Sequence, residues 1–167
     1  MTDKNTGELN MISAGQKVNK LMQDFFTAYF NERDYKAAAG FLREDIRWIG
    51  LGAVCSARDR SEAVKFLQAE IAAAPYAVFF EYENVQNVML SETAAVFLCD
   101  LLLKKNKDGY DSDISIRVMA ACNCCDSVWK IAALHVSQAN MGPETGDFFP
   151  AAFSMEKVAE VESSINR

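Results

Sequence analysis

The sequence predicts an α+β domain in which three helices pack on a curved antiparallel sheet. In the first part of the chain, hydrophobic residues recur with helical spacing. After Pro75 the spacing changes to alternation, and short turn sequences divide that region into four long segments. Long antiparallel strands twist and curl, and a helix with a wide apolar stripe is suited to cover one face of such a sheet.

The first helix is predicted to begin at Ser13, because Ser13 and Gln16 have the spacing of a capping box. One broad apolar stripe follows on about five helical turns, and this stripe is predicted to be buried. Its members are Val18, Leu21, Met22, Phe25, Phe26 and Tyr29.

Two shorter helices are expected next. Asp34 is placed to cap a second helix that runs through Leu42. Asp59 or Ser61 caps a third helix that runs to about Ala74. The predicted strands are Ile46–Ile49, 77–89, 93–104, 112–125 and 128–138, with turns at Ser91-Glu92, 106–109 and Asp126-Ser127.

The composition fits one globular domain, since half of the 167 residues are hydrophobic and 24% are charged. The 17 basic and 23 acidic residues give a net charge of −6. This balance argues against a nucleic-acid-binding face and against an anionic membrane surface. No apolar run reaches the roughly 18–20 residues of a membrane span, and the N-terminus lacks the apolar core of a signal peptide. We therefore expect a cytoplasmic protein that binds neither nucleic acid nor membrane.

The predicted organisation has three parts. Residues 1–12 are polar and expected to be disordered. Residues 13–153 form the domain and include an irregular aromatic tail, and residues 154–167 form a terminal helix or a linker.

Both faces of the last predicted strand carry apolar residues. One covering helix explains the burial of one face only, so the other face needs a second partner. A second copy of the same sheet supplies it, which predicts a homodimer through the outer sheet face. The two sets are Val128, Ala132, Leu134 and Val136 against Trp129, Ile131 and Ala133.

Five cysteines in a chain without a secretory signal indicate reduced thiols. Cys122 and Cys125 form a C-x-x-C motif, but the motif lies in a predicted strand, whereas redox pairs lie at helix N-termini. A structural zinc site needs four ligands. The pattern favours apolar side chains at a strand end over a metal or redox site, so no metal and no cofactor are expected.

Two polar residues stand out in the closing strands. His135 is the single histidine, and an imidazole titrates near neutral pH. Arg117 lies among apolar residues and needs a carboxylate partner, for which Asp100 is a candidate. A two-residue hairpin at Asp126-Ser127 places Arg117 opposite Val136, so that Arg117 and His135 occupy opposite faces unless a bulge shifts the register. Which of the two faces a pocket stays open.

Three aromatic residues are further candidates for a pocket. Trp48 lies at the end of the first predicted strand, where it lines a pocket mouth or packs in the core. Tyr29 and Tyr82 carry hydroxyl groups that need partners when they are buried.

The order of elements and three segments carry a family resemblance. The segments are Val18–Phe30, Asp45–Gly50, and the closing strands with Arg117-Val118-Met119, Trp129-Lys130-Ile131 and His135-Val136-Ser137. Over residues 14–138 the chain resembles the SnoaL-like branch of the nuclear transport factor 2-like superfamily. The closing strands are also similar to the association domain of calcium/calmodulin-dependent kinase II. The resemblance implies a cone-shaped, cystatin-like fold with a pocket between the helices and the concave sheet face, and a dimer through the outer face.

The ketosteroid isomerases of this superfamily keep a tyrosine on the first helix and an aspartate at the end of the first strand. The matching positions here are Phe26 and the segment Trp48-Ile49-Gly50, which lacks a carboxylate. A proton-abstracting enzyme needs a base within reach of its substrate.

We therefore predict a non-catalytic, dimeric module that binds a small organic ligand. The candidate ligand-binding residues are Tyr29, Trp48, Tyr82, Arg117 and His135. The tail Gly146–Pro150 looks like that of bacterial members found alone or ahead of signalling modules, which fits a sensory role. One alternative is an isomerase, cyclase or hydratase with His135 as the base, and another is an oligomerisation module.

Overall fold

The computed structural model describes residues 4–51, 56–104 and 114–138, with side chains from Ile12 onward in these ranges. Cys55, the predicted turn at 106–109 and the predictions for residues 139–167 lie outside the described residues.

The helices agree with the sequence analysis except at the N-terminus and at the end of the second helix. That helix ends at Gly40 rather than Leu42, because Leu42 already pairs as the first residue of a strand. Helix α1 begins well before the predicted start, so Ser13 lies inside it rather than at its cap. Residues 4–12, expected to be disordered, are thus helical. Asp34 and Asp59 accept backbone N–H bonds as N-caps of α2 and α3, as predicted. The bounds are α1 Lys4–Phe26, a π-helical turn Thr27–Asn31, α2 Tyr35–Gly40 and α3 Arg60–Ala73.

All six residues of the predicted apolar stripe on the first helical segment are buried, none with more than 7% of its surface exposed. They pack on the inner face of the sheet with Ile46, Phe97 and Leu134, which are at most 2% exposed. The stripe and this face form one continuous hydrophobic core, which fixes the helix across the sheet.

One six-stranded sheet contains the four-stranded antiparallel meander that the sequence predicts. β1 extends the sheet by pairing parallel to β6, and the short β2, which was not predicted, pairs with β1. The order is β2-β1-β6-β5-β4-β3. The bounds are β1 Leu42–Ile49, β2 Ser56–Ala57, β3 Phe79–Ser91, β4 Ala94–Lys104, β5 Ile114–Cys125 and β6 Val128–Gln138.

The predicted register of the last hairpin is wrong beyond its first four pairs. Asp126 and Ser127 form the turn with positive φ angles of 51° and 65°, typical of a two-residue hairpin. An irregularity between Ala121 and Cys122 then leaves Ala132 as an extra residue on β6 and shifts every later pair by one. Arg117 therefore pairs with Ser137 instead of Val136.

The same bulge changes which residues of β6 are buried. Trp129, Ile131 and Leu134 are all buried in the core, although strict alternation would place Leu134 on the other face. Val128 stays 52% exposed. The outer face of β6 is therefore less apolar than predicted, and apolar side chains exposed on that side of the sheet come mainly from other strands.

The C-x-x-C cysteines differ in their surroundings. Cys122 is buried, its Sγ lies 4.0 Å from Sδ of Met22, and burial raises the pKa of the thiol to about 12. Cys125 is exposed at the strand end. In the described part of the chain, no group of three or more His, Cys, Asp or Glu side chains could hold a metal ion.

Among the described helices, none is both long enough and apolar enough to cross a membrane.

Candidate functional site

The main cavity lies between the π-helical turn, α3 and the inner face of the sheet. It has a volume of about 560 Å³. The lining is mostly apolar, and pockets of this size hold small organic molecules. Its aromatic members are Phe26, Tyr29, Phe30, Trp48, Phe66 and Tyr76, and the sheet contributes Ile116 and Val136.

The π-helical turn builds one wall of the cavity. The Glu32 amide donates to the Thr27 carbonyl at 2.9 Å, one residue further back than in an α-helix. The wider turn buries the consecutive residues Tyr29 and Phe30, whose ring centroids lie 4.4 Å apart. The Val78 amide donates to the Phe30 carbonyl at 2.8 Å and fixes this wall to the chain entering β3. π-Helical turns are frequent at functional sites.

Trp48 forms a second wall from the end of β1. It is only 3% exposed and lies edge-on to Tyr29, with ring centroids 6.2 Å apart, and to Phe66 at 5.1 Å. Its indole Nε1 is buried and has no hydrogen-bond partner among the described residues.

Arg33 supplies a positive charge to the cavity. Its backbone is left-handed, with φ 55°, because the chain reverses between the π-helical turn and α2. The guanidinium donates to the carbonyls of Tyr29 at 3.2 Å and Ala74 at 2.5 Å, while Nε has no partner among the described residues. Burial lowers the pKa of Arg33.

Glu70 adds a carboxyl group from the cavity side of α3. Burial raises its pKa, which favours the neutral acid. Sequence reasoning missed both Glu70 and Arg33. Glu70 lies one turn after the buried Leu67, and this spacing was an available signal. Arg33 was taken only as part of the break between two helices, and no spacing in the sequence distinguishes it.

The five predicted site residues fall into three places. Tyr29 and Trp48 line the main cavity. Tyr82 lines a second pocket of about 440 Å³ between α1 and β3, and its hydroxyl has no partner among the described residues. Arg117 and His135 were predicted as ligand-binding residues, but both lie on the outer face of the sheet and neither lines the main cavity.

The bulge in β6 explains why Arg117 and His135 share a face. His135 pairs with Met119, two residues from Arg117, and all three point outward. Arg117 pairs directly with Asp100, and their side chains approach to 3.7 Å, which confirms Asp100 as the partner. At 67% exposure of the Arg117 side chain, this ion pair contributes little to stability.

Comparison with known proteins supports the fold seen here. A dehydrochlorinase of hexachlorocyclohexane, LinA-type3 from Novosphingobium barchaimii LL02, superposes with a TM-score of 0.67 at 15% identity, covering 86% of this chain and 98% of that one. A nuclear transport factor 2-like protein with a cystatin-like fold from Novosphingobium aromaticivorans gives a TM-score of 0.70 at 11% identity, covering 86% and 94%. A nuclear transport factor 2-like protein of unknown function from Pseudomonas putida KT2440 gives 0.69 at 15%, covering 83% and 98%.

No curated protein matches the sequence. The family model of the SnoaL-like domain matches residues 18–141, which includes every element from the second half of α1 to the end of β6. The fold is that of the nuclear transport factor 2-like structures, and the chain belongs to the SnoaL-like family.

Proposed function

We propose that this protein is a dimeric SnoaL-like module that binds a small, mostly apolar organic molecule in the main cavity without transforming it. The observation that carries the proposal is the cavity itself, about 560 Å³ and walled mainly by aromatic side chains. Burial of a ligand's apolar surface against these rings supplies the binding free energy.

The absence of catalytic side chains at two positions supports a non-catalytic role. Phe26 lines the cavity at the position where the ketosteroid isomerases of this superfamily have a tyrosine. Gly50 lines it at the end of the first strand, where those enzymes have an aspartate. His135, the base of the enzymatic alternative, is exposed on the other face of the sheet. That face is separated from the cavity by the sheet itself.

Glu70 supports an enzymatic alternative of a different kind. It is the one carboxyl group among the described lining residues, and burial raises its pKa, which is the direction in which enzymes tune a carboxyl group used for general acid–base catalysis. An isomerase, cyclase or hydratase of this chain would use Glu70 rather than His135. The dehydrochlorinase among the structural neighbours is consistent with such a use of the fold, although fold alone does not give a reaction.

The outer sheet face supports the homodimer. Ile49, His135, Met119 and Leu98 are successive partners across β1, β6, β5 and β4. Ile49 is 57% exposed and Met119 is 50% exposed. A second copy meeting this face would bury three apolar side chains of this row together with the imidazole of His135, with Arg117 and Asp100 beside them. The same surface serves the oligomerisation alternative.

Native mass spectrometry of the full chain tests both parts of the proposal. We expect a dimer that carries an additional small molecule, either copurified or acetylnaphthalene added as an apolar probe. Val136→Trp fills the cavity from the sheet side and should release the additional mass. Ala72→Trp adds the same indole at an exposed position of α3 outside the lining and should retain it.

Retention of the molecule by a folded Val136→Trp variant would contradict binding in the cavity. A monomeric wild-type protein would contradict the dimer and leave the cavity proposal to be judged by the two tryptophan variants.

A further inference from the structure

Two buried N–H donors of the main cavity have no partner among the described residues. They are the indole Nε1 of Trp48 and Nε of Arg33. Buried donors are nearly always paired in folded proteins, because an unpaired donor loses its bond to water without replacement. Both groups can only donate, so the missing partner must be an acceptor.

Tyr29 lies beside both of the side chains that carry these donors. The Arg33 guanidinium carbon lies 5.8 Å from the centroid of the Tyr29 ring, and the Trp48 ring centroid lies 6.2 Å from the same ring. The Arg33 guanidinium is held there by the carbonyls of Tyr29 and Ala74. Both side chains therefore contact the same aromatic ring.

Arg33 also brings a charge that the described residues do not neutralise. It forms no salt bridge with any carboxylate in the described ranges. Lys104, the other cation of the lining, is paired with Glu81 at 2.8 Å. Arginine stays protonated even when partly buried, so the described lining presents one cation that no salt bridge neutralises.

We propose that the ligand of the main cavity is an apolar carboxylate, an inference that rests on the proposed binding function. Its carboxylate oxygens accept hydrogen bonds from Arg33 Nε and Trp48 Nε1. Its hydrocarbon body packs against Phe26, Phe30 and Phe66. A charged acceptor makes a stronger hydrogen bond than a neutral one, and it also compensates the charge of the partly buried guanidinium.

Glu70 is the one group of the described lining that would oppose an anion. Burial of the carboxyl favours its neutral form, in which it repels an anion less and can itself donate a hydrogen bond. An anion beside Glu70 raises the pKa of that carboxyl further. At a pH where Glu70 is ionised in the free protein, binding of the carboxylate is therefore accompanied by proton uptake, and Glu70→Gln should strengthen binding there.

Three probes with the same naphthalene ring system but different substituents distinguish the contribution of the ligand's polar group from that of its hydrocarbon part. They are naphthoate, acetylnaphthalene and ethylnaphthalene, measured by calorimetry on the full chain. Naphthoate should bind at least about tenfold more tightly than ethylnaphthalene, as expected for hydrogen bonds to a charged group. Trp48→Phe removes the N–H and keeps an aromatic ring, so it should weaken naphthoate about fivefold to tenfold and leave ethylnaphthalene within about twofold.

Arg33→Met should weaken naphthoate at least about tenfold. Because Arg33 also donates hydrogen bonds to backbone carbonyls, the melting temperature of this variant is measured as well. If Arg33→Met does not fold, the test rests on Trp48→Phe alone. Trp129→Phe is the matched control, since Trp129 is outside the described lining.

Each outcome of the series decides one question. Equal affinities for all three probes, or an unchanged affinity of Trp48→Phe for naphthoate, would contradict the proposal that the ligand is a carboxylate. Neither result would contradict binding in the cavity. Tighter binding of acetylnaphthalene than of naphthoate would replace the carboxylate by a neutral carbonyl compound. Binding of none of the three would overturn the proposed function together with this inference.

Discussion

His135 lies directly opposite Met119 across the β5–β6 pair, on the outer face of the sheet. Their neighbours Val136 and Ala120 point to the inner face, where Val136 lines the main cavity. One residue along the strand thus separates a cavity position from a surface position. The single histidine of the chain belongs to the surface.

Replacement of His135 should not affect binding in the cavity. His135→Ala removes an imidazole from the far face of the sheet, so the affinity for a cavity probe such as naphthoate should stay within about twofold of wild type. Calorimetric titration measures this directly. A decrease in affinity of tenfold or more would indicate that His135 contributes to the cavity site. It would then support the alternative of an enzyme with His135 as the base.

A charge at Met119 should disrupt the dimer. Met119→Glu places a carboxylate at the centre of the proposed interface, where desolvation without a partner is costly. We expect the dimer dissociation constant to rise at least about tenfold, measured by sedimentation velocity. Ile12→Glu, at an apolar residue of α1 that is 57% exposed, should leave it unchanged. An undisturbed dimer in Met119→Glu would place the interface elsewhere.

Glu70 should reduce the stability of the folded protein near neutral pH. Burial raises its folded-state pKa above the unfolded value, so the folded state binds more protons between the two values. Stability therefore falls as pH rises through that interval, and it falls no further above the folded-state pKa.

Glu70→Gln removes this loss. Because the carboxyl keeps part of its hydration, the increase in the free energy of unfolding at neutral pH should stay below about 1 kcal/mol. This limit corresponds to an increase in Tm of about 2–4 °C at most. The increase should shrink towards zero at acid pH, where Glu70 is protonated in both states. Thermal unfolding from pH 4 to pH 8 checks this, with the exposed Glu32→Gln as control. A variant that is less stable than wild type at neutral pH would show that the ionised carboxylate has a favourable partner.

The buried thiols should resist alkylation. Burial raises the pKa values of Cys99 and Cys122 to about 12, so few thiolates form even at pH 9, and access is blocked as well. Exposed Cys125 should react with iodoacetamide at least about tenfold faster, as measured by peptide mass spectrometry of the native protein. Rapid native labelling of Cys122 would indicate that the strand end opens.

Much of the fold could be predicted because periodicity and capping are local properties of the sequence. The α1 stripe, the Asp34 cap and the four-stranded meander all follow from spacing within one or two elements. The parallel pairing of β1 with β6 joins distant segments, and no local spacing in the sequence indicates it.

The candidate site was predicted only in part. Trp48 was identified at the end of the first predicted strand, and Tyr29 was identified as an aromatic residue with a hydroxyl group. Both line the cavity. The single extra residue Ala132 reversed the relation between Arg117 and His135, since a one-residue shift moves each partner to the other face. A bulge of this kind leaves no mark in a sequence of alternating apolar residues. Arg33 reaches the cavity through a left-handed turn that the sequence does not reveal.

The most direct test of cavity binding uses the chain's two tryptophans as internal reporters. Trp48 lines the cavity and Trp129 is packed near the closing hairpin outside its described lining. In a titration with naphthoate followed by proton–nitrogen NMR, with Trp48→Phe used for assignment, the indole N–H signal of Trp48 should shift and saturate while that of Trp129 stays in place. A Trp48 signal that does not move, or one that moves no more than that of Trp129, would contradict binding in this cavity.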